Sequence, residues 1–390
     1  MRILIASDTY HPHVNGASYF TQRLSHALAD AGHEVAVISP STDLSNTKKR
    51  WGKVQRYGLR SFPIIVPGFR FVLPWVINPA IRRALVEFKP DIVHIQSHFF
   101  ISRATLNAAQ KRGIPVVATN HFMPDNLTHY LHLPKIVTEA IHSVMWRDAA
   151  RVYRKAKGLS SPTRTAADLV QPQLNQEILA ISNGIDLARF NPSNDPTPAQ
   201  KQYNLPKKPT LLFVGRLDKE KNVDVVLRAV AVARKSVNFH FVVAGHGAEE
   251  VKLKTLAQTL ELEADTTFCG FVPDELLPSL YAAADCFVIA GIAELQCIVA
   301  MEAMATGLPV VGARAVALPE LIHHKENGLL FEPGDSTELA GQLVEIFTKS
   351  DMRHTMGKKS LEIIAKHDIN LTLEQFEQFY RQALNGRATV

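Results

Sequence analysis

Cysteine is scarce. Cys269, Cys286 and Cys297 stand far apart, two of them inside apolar runs, and none has a metal-ligand spacing. Packing in a reducing compartment is expected, rather than a disulfide or a zinc site. Long apolar runs are missing too, since none reaches the roughly 18 to 20 residues needed to span a bilayer. Met1–Ala6 is too short for the apolar part of a signal peptide and leads into a polar loop. A cytoplasmic location is therefore expected, with room for a peripheral position at the inner face of the cell membrane. Missing as well is a Gly-x-Gly-x-x-Gly turn of the kind a dinucleotide-dependent oxidoreductase needs. The loop Ser7–Ser18 lacks that spacing, and Gly245-His246-Gly247 has Glu250 where the third glycine belongs. An Asp-x-Asp pair that would hold a catalytic metal is also absent, so no metal and no cofactor is expected.

What remains is an ordinary globular composition, 46% apolar and 21% charged, in a chain long enough for two domains. The net charge of +6 is unevenly spread. Residues 1–175 hold 22 Lys and Arg against 10 Asp and Glu, leaving 21 against 27 for the rest. Such an imbalance suits one domain that faces an anionic surface and another that does not.

Short apolar strands alternate with amphipathic helices, the pattern of parallel α/β sheets. In the first half, strands are expected at Arg2–Ser7, Glu34–Pro40, Phe62–Val66, Asp91–Ser97 and Pro115–His121. The pattern restarts with Thr210–Gly215, Phe239–Gly245, Thr266–Phe271, Cys286–Ala290 and Pro309–Ala313. Between the halves, Asn191–Pro209 reads as a linker. The expected division is 1–175 for one Rossmann-like domain and 176–370 for a second. A final helix at 371–390 either packs back on the first domain or extends the second.

Five segments sit at strand ends, where open α/β sheets bind ligands. Gly215-Arg216-Leu217-Asp218-Lys219-Glu220-Lys221-Asn222 is expected to pass from strand to helix, with Arg216 and Lys221 as fixed cations for a diphosphate; the bland alternative is a solvated charged loop. Glu294 and Glu302, eight apart, would lie on roughly one face of a helix beginning at Glu294. Glu302 stands among Ala300, Met301, Ala303 and Met304, so it needs a partner, because an unpaired buried charge is costly. Gly16, in the opening loop, permits close backbone approach. Asn120-His121 ends a strand, although a lone histidine there, like His94 and His98, is more often structural. Gly270, Phe271 and Val272 close another strand, and either present backbone groups to a flat base edge or form a tight βα turn.

Taken together, these segments resemble the retaining glycosyltransferases of family 4, which have the GT-B fold of two Rossmann-like parallel-sheet domains facing a central cleft. The resemblance covers essentially the whole chain and implies that domain 1–175 binds the acceptor and domain 176–370 the nucleotide-sugar. Its most specific part is Gly215-Arg216…Lys221 followed by Glu294-x7-Glu302 and Ala303-Met304-Ala305-Thr306-Gly307-Leu308-Pro309. It implies that Arg216 and Lys221 bind the donor's diphosphate, Glu294 the donor sugar and Glu302 the ribose hydroxyls. Gly16 would approach the donor as the cleft closes, His121 would lie by the reacting sugar, and Gly270, Phe271 and Val272 would frame the base. Leu295-Gln296-Cys297, followed by Ile298, replaces the family's usual Gly-rich stretch and resembles some diacylglycerol-glycosylating members. The activity implied is metal-independent, retaining hexose transfer from a UDP-glucose or GDP-mannose type donor. A lipid such as diacylglycerol or a glycolipid is the expected acceptor, with a soluble or polysaccharide acceptor as the alternative. A non-catalytic sugar-nucleotide-binding protein is a remote third reading.

The acceptor expectation draws on residues 44–83, which hold nine Lys or Arg and no acid, interleaved with Trp51, Tyr57, Phe62, Phe69, Phe71 and Trp75. Basic residues mixed with interfacial aromatics suit an anionic bilayer; the bland alternative is a solvated loop with some apolar residues in the core. No nucleic-acid recognition fold accompanies them, so no nucleic-acid partner is expected.

Overall fold

In the computed structural model the described residues are 1–10, 15–43, 45–63, 70–124 and 134–386. The chain divides into two compact units, Met1–Gly184 with Ile369–Val390, and Ile185–Asp368. The first division falls after Gly184 rather than 175, because Ile178–Ala180 adds a strand to the first sheet. Asn191–Pro209 is not a linker: it lies inside the second unit, where Phe190 and Ala199 are buried and the Ala199 amide donates to Ser279. The family's two parallel-sheet domains are both present.

The first sheet is built from β1 (Arg2–Ala6), β2 (Glu34–Ser41), β3 (Thr47–Trp51), β4 (Val54–Arg60), β7 (Ile92–Ile95), β8 (Val116–Thr119), β9 (Gly158–Ser161) and β10 (Ile178–Ala180). Their order is β10-β9-β8-β7-β1-β2-β4-β3, parallel except for the β3–β4 pair. Between β4 and β7 a two-residue ladder joins β5 (Phe62–Pro63) to β6 (Arg70–Phe71). The strand expected at Phe62–Val66 is thus a short hairpin arm, and its remaining residues lie outside the described ones. The second sheet holds β11 (Thr210–Val214), β12 (His240–Ala244), β13 (Thr266–Gly270), β14 (Cys286–Ile289), β15 (Val310–Ala313) and β16 (Gly328–Phe331), all parallel, in the order β13-β12-β11-β14-β15-β16. Five of these strands are buried at every residue, as a parallel sheet covered on both faces requires, while in the edge strand β13 only Thr266 is buried.

Both orders reverse direction once, between β1 and β7 and between β11 and β14. At such a point neighbouring loops diverge and open a crevice beyond the strands' carboxyl ends. The geometry of the second crevice depends on glycine. Gly245 has φ +140°, and a Cβ there would stand 1.8 Å from the Gly215 carbonyl oxygen, so the loops after β11 and β12 touch backbone to backbone.

The terminal helix Ile369–Leu384 belongs to the first unit. Phe376, Phe379 and Tyr380 join Ile3, Ile5, Phe20 and Leu24 in one core cluster. Gly158 makes room for it, since a Cβ there would meet the Phe379 ring at 2.5 Å. Phe376 is fully buried, 5.6 Å from the Phe20 ring. Phe376→Ala is therefore expected to cost the first unit about 3–5 kcal/mol, measurable as a lower denaturant midpoint for that unit; a loss under about 1 kcal/mol would contradict this packing.

Candidate active site

The loop leaving β11 carries Gly215, Arg216 and Lys221, and it is less direct than a strand-to-helix turn. A 3-10 turn spans Lys219–Lys221, Asn222 adopts a left-handed conformation, and the helix begins only at Val223. This detour brings Lys221 to the loop that follows β14. The Lys221 Nζ lies 2.6 Å from Glu294 Oε1. Two further bonds fasten the same pair of loops: the Ile292 amide donates to the Glu220 carbonyl at 3.2 Å, and the Asn222 side chain donates to the Ala290 carbonyl at 3.1 Å. Arg216, Lys221 and Glu294 are thus collected at the reversal between β11 and β14.

The ion pair is largely buried, with side-chain exposures of 17% and 13%. Burial opposes the charge on Lys221, but the Glu294 carboxylate and its hydrogen bond outweigh that and raise the ammonium's pKa. The cation persists at neutral pH, and of its three N–H donors Glu294 takes one. Arg216 is oriented by two acids that sequence reasoning did not single out. Its guanidinium donates to Asp218, and to Glu220 at 3.0 Å. Asp218 also accepts from the Ala248 amide at 3.3 Å, tying in the loop after β12. The only sequence signal for this fork is the placement of acids two and four residues beyond the arginine.

The helix expected from Glu294 starts instead at Ile298. Cys297, its N-cap residue, has φ +66°, which interrupts any helical path from Glu294. Glu294 therefore stands in the loop, and the two acids do not share a helix face. Leu295 and Gln296 belong to that loop, with Gln296 buried. Glu302 is buried in mid-helix, where it accepts a 3.0 Å hydrogen bond from the Tyr281 hydroxyl; this supplies the partner that its apolar surroundings demand.

Gly270 ends β13 in a left-handed conformation, and a Cβ there would approach the His246 ring at 3.0 Å. The Gly245 amide donates to its carbonyl. Phe271 is exposed and Val272 buried. In the first unit Gly16 opens the helix Gly16–Asp30, whose N-cap Asn15 accepts from the Ser18 amide. His121 leaves β8 with its ring 4.8 Å from Phe20 on that helix and its Nε2 paired with the Gln96 side-chain oxygen at 2.9 Å. Asn120 does not present itself to a ligand; it is buried and bonded to Phe122 and Tyr153.

Two chemical consequences follow at these positions. L-residues in the left-handed region carry a cost of about 1–2 kcal/mol that glycine avoids, partly offset by glycine's entropy. Cys297→Gly should therefore be more stable than Cys297→Ala by about 1 kcal/mol in denaturant unfolding, and equal stabilities would contradict the backbone assignment. The first unit also holds three histidines that resist protonation. Burial pushes His94, His98 and His121 down to about 3, about 4 and about 3. The unfolded chain takes up these protons near pH 6.5. The folded form's advantage is thus complete above that pH and is lost as pH falls toward 3, by up to about 1.4 kcal/mol per pH unit for each histidine. The first unit's urea midpoint should drop between about pH 7.5 and 5; a flat profile would contradict this.

The two parallel-sheet units define the GT-B fold. A sucrose-phosphate synthase from Thermosynechococcus elongatus superposes with a TM-score of 0.80 at 21% identity, over 98% of this chain and 99% of that one. Two family models match in succession, Glycosyltransferase Family 4 over residues 14–189 and Glycosyl transferases group 1 over residues 196–362. The chain belongs to this glycosyltransferase family, and it transfers a sugar from a nucleotide-sugar donor. Among curated relatives, an alpha-monoglucosyldiacylglycerol synthase from Streptococcus pneumoniae is 28% identical, over 94% of this chain and 83% of the relative. A GDP-mannose-dependent alpha-mannosyltransferase from Mycobacterium tuberculosis is also 28% identical, over 86% and 85%.

Proposed function

We propose that this chain is a retaining, metal-independent hexosyltransferase that moves a hexose from a UDP-glucose or GDP-mannose type donor to a membrane lipid such as diacylglycerol or a glycolipid. The observation that carries the reading is the buried Lys221–Glu294 pair beside Arg216 at the β11–β14 reversal. Breaking the anomeric C–O bond leaves a nucleoside diphosphate, and negative charge accumulates on its phosphate. Arg216 and Lys221 are cations already fixed by carboxylates, so they meet that charge with little reorganisation. In this reading they replace a metal. Glu294, held by Lys221, has a carboxylate oxygen suited to a sugar hydroxyl. Glu302 and the strand-end residues Gly270, Phe271 and Val272 serve the nucleoside.

The lipid acceptor is supported by Leu295-Gln296-Cys297 in place of a Gly-rich stretch and by a relative named for diacylglycerol glucosylation. A relative of equal identity is named for GDP-mannose, so the donor is decided by assay. Purified protein should release UDP or GDP, but not both at comparable rates, and faster with lipid acceptor in vesicles. EDTA should leave the rate unchanged, and the product should keep the donor's anomeric configuration by NMR. Arg216→Ala and Lys221→Met should each lower kcat/KM by about a hundredfold to a thousandfold, with circular dichroism showing the fold retained. Near-wild-type turnover in both would overturn the site assignment.

A further inference from the structure

Behind His121 lies a buried polar network. Gln96, His94, Thr119, Ser160 and Tyr380 are fully buried, and among the connected side chains His121 alone is half-buried. Gln96 is fixed just after β7, where its backbone amide donates to the Ala6 carbonyl of β1 at 2.9 Å. Its side-chain oxygen meets His121 Nε2 at 2.9 Å. Networks of this kind are costly unless every member is satisfied, and here the donors and acceptors assign one another in turn.

Burial keeps the Tyr380 phenol protonated. Among the described residues its hydroxyl has only His94 Nδ1 to donate to, at 2.9 Å. His94 is neutral, so with Nδ1 accepting, its proton sits on Nε2 and goes to Thr119 Oγ1 at 2.7 Å. Thr119 donates to Ser160 at 2.7 Å, and Ser160 faces the Ala118 carbonyl at 3.5 Å. Both His94 nitrogens are thereby engaged in the ring plane. The Gln96 side-chain nitrogen lies 3.2 and 3.3 Å from them, near-equal distances that place it over the ring face. An amide N–H suits the negative face of an aromatic ring, and an amide oxygen does not. His94 thus decides which end of the Gln96 amide points at His121, and that end is the oxygen. A carbonyl oxygen only accepts, so His121 carries its proton on Nε2.

We propose that Gln96 is a positioning residue, holding His121 in this tautomer so that Nδ1 is a bare acceptor for a substrate hydroxyl. Nδ1 makes no hydrogen bond among the described residues. His121 leaves β8 at the carboxyl end of the first sheet, one strand from the reversal between β7 and β1, where such sheets bind ligands. The ring is neutral at neutral pH, so the lone pair is kept. That lone pair repels a phosphate or carboxylate, which has no proton to offer, and accepts from a sugar hydroxyl. The inference rests on the hexosyl-transfer reading.

The full-length chain, isotope-labelled at histidine nitrogen, is tested by long-range proton–nitrogen NMR, which separates protonated from bare ring nitrogens. Signals lost in His121→Phe identify the ring. Wild type should show His121 with Nε2 protonated and Nδ1 bare. Gln96→Met, similar in length but without the acceptor, should lose that single tautomer and lower kcat/KM by about tenfold to a hundredfold. Gln96→Glu keeps an accepting oxygen and should keep Nε2 protonated. Transfer is then compared across UDP- or GDP-hexose donors and acceptors that each lack one hydroxyl. One deoxy compound should react more slowly than its parent with wild type, and at its parent's rate with Gln96→Met and with His121→Phe. A Gln96 that served the fold alone would slow every compound alike in Gln96→Met, and that result would overturn the proposal. So would a proton on Nδ1 in wild type, or an unchanged tautomer in Gln96→Met. Failure to turn over any hexose donor would overturn the hexosyl-transfer reading, while the NMR signals still decide the role of Gln96.

Discussion

The site depends on a buried ion pair. Lys221 and Glu294 come from loops after β11 and β14, adjacent strands whose following connections leave in opposite directions. Breaking such a pair leaves an uncompensated buried charge at a cost of about 3–5 kcal/mol, so neither residue is free to drift. The pair thus fixes the distance between the two loops as well as placing a cation. Arg216 is set by the same logic one step away, with Asp218 and Glu220 as its anchors. In the proposed function, a site built this way carries its electrostatic field before substrate arrives, ready for charge that develops on a leaving phosphate.

The first unit is organised around its terminal helix. Tyr380 on that helix hydrogen-bonds His94 on β7 at 2.9 Å, and His94 in turn meets Thr119 on β8 at 2.7 Å. The buried imidazole stays neutral because burial disfavours its charged form. The segment that ends the sequence therefore supports the strands from which the Gln96 and His121 loops emerge.

Much of the second sheet was legible in the sequence because its strands are continuous apolar runs, the mark of parallel strands covered on both faces. Besides the strands β4, β6 and β16, which the expected pattern also omits, four features were hidden, each for its own reason. β3, Thr-Lys-Lys-Arg-Trp, is a polar antiparallel edge with no apolar period. β9, Gly-Leu-Ser-Ser, is fully buried but made of small residues. β10 is three residues long. The late helix start at Ile298 was masked because the residue that turns the chain is Cys297, where a glycine would have signalled the left-handed turn. The residue set Arg216, Lys221, Glu294 and Glu302 could be picked out by spacing and resemblance. Its geometry could not, because the Lys221–Glu294 bond spans 73 positions, and the acids around Arg216 read as ordinary loop charges.

The most direct measurement is a crystal structure of the chain with a bound nucleoside diphosphate. The account predicts pyrophosphate oxygens within hydrogen-bond reach of Arg216 and Lys221, beyond β11 and β14, with Glu294 still paired to Lys221 or turned toward a sugar. A diphosphate held elsewhere, with both cations facing solvent, would contradict it.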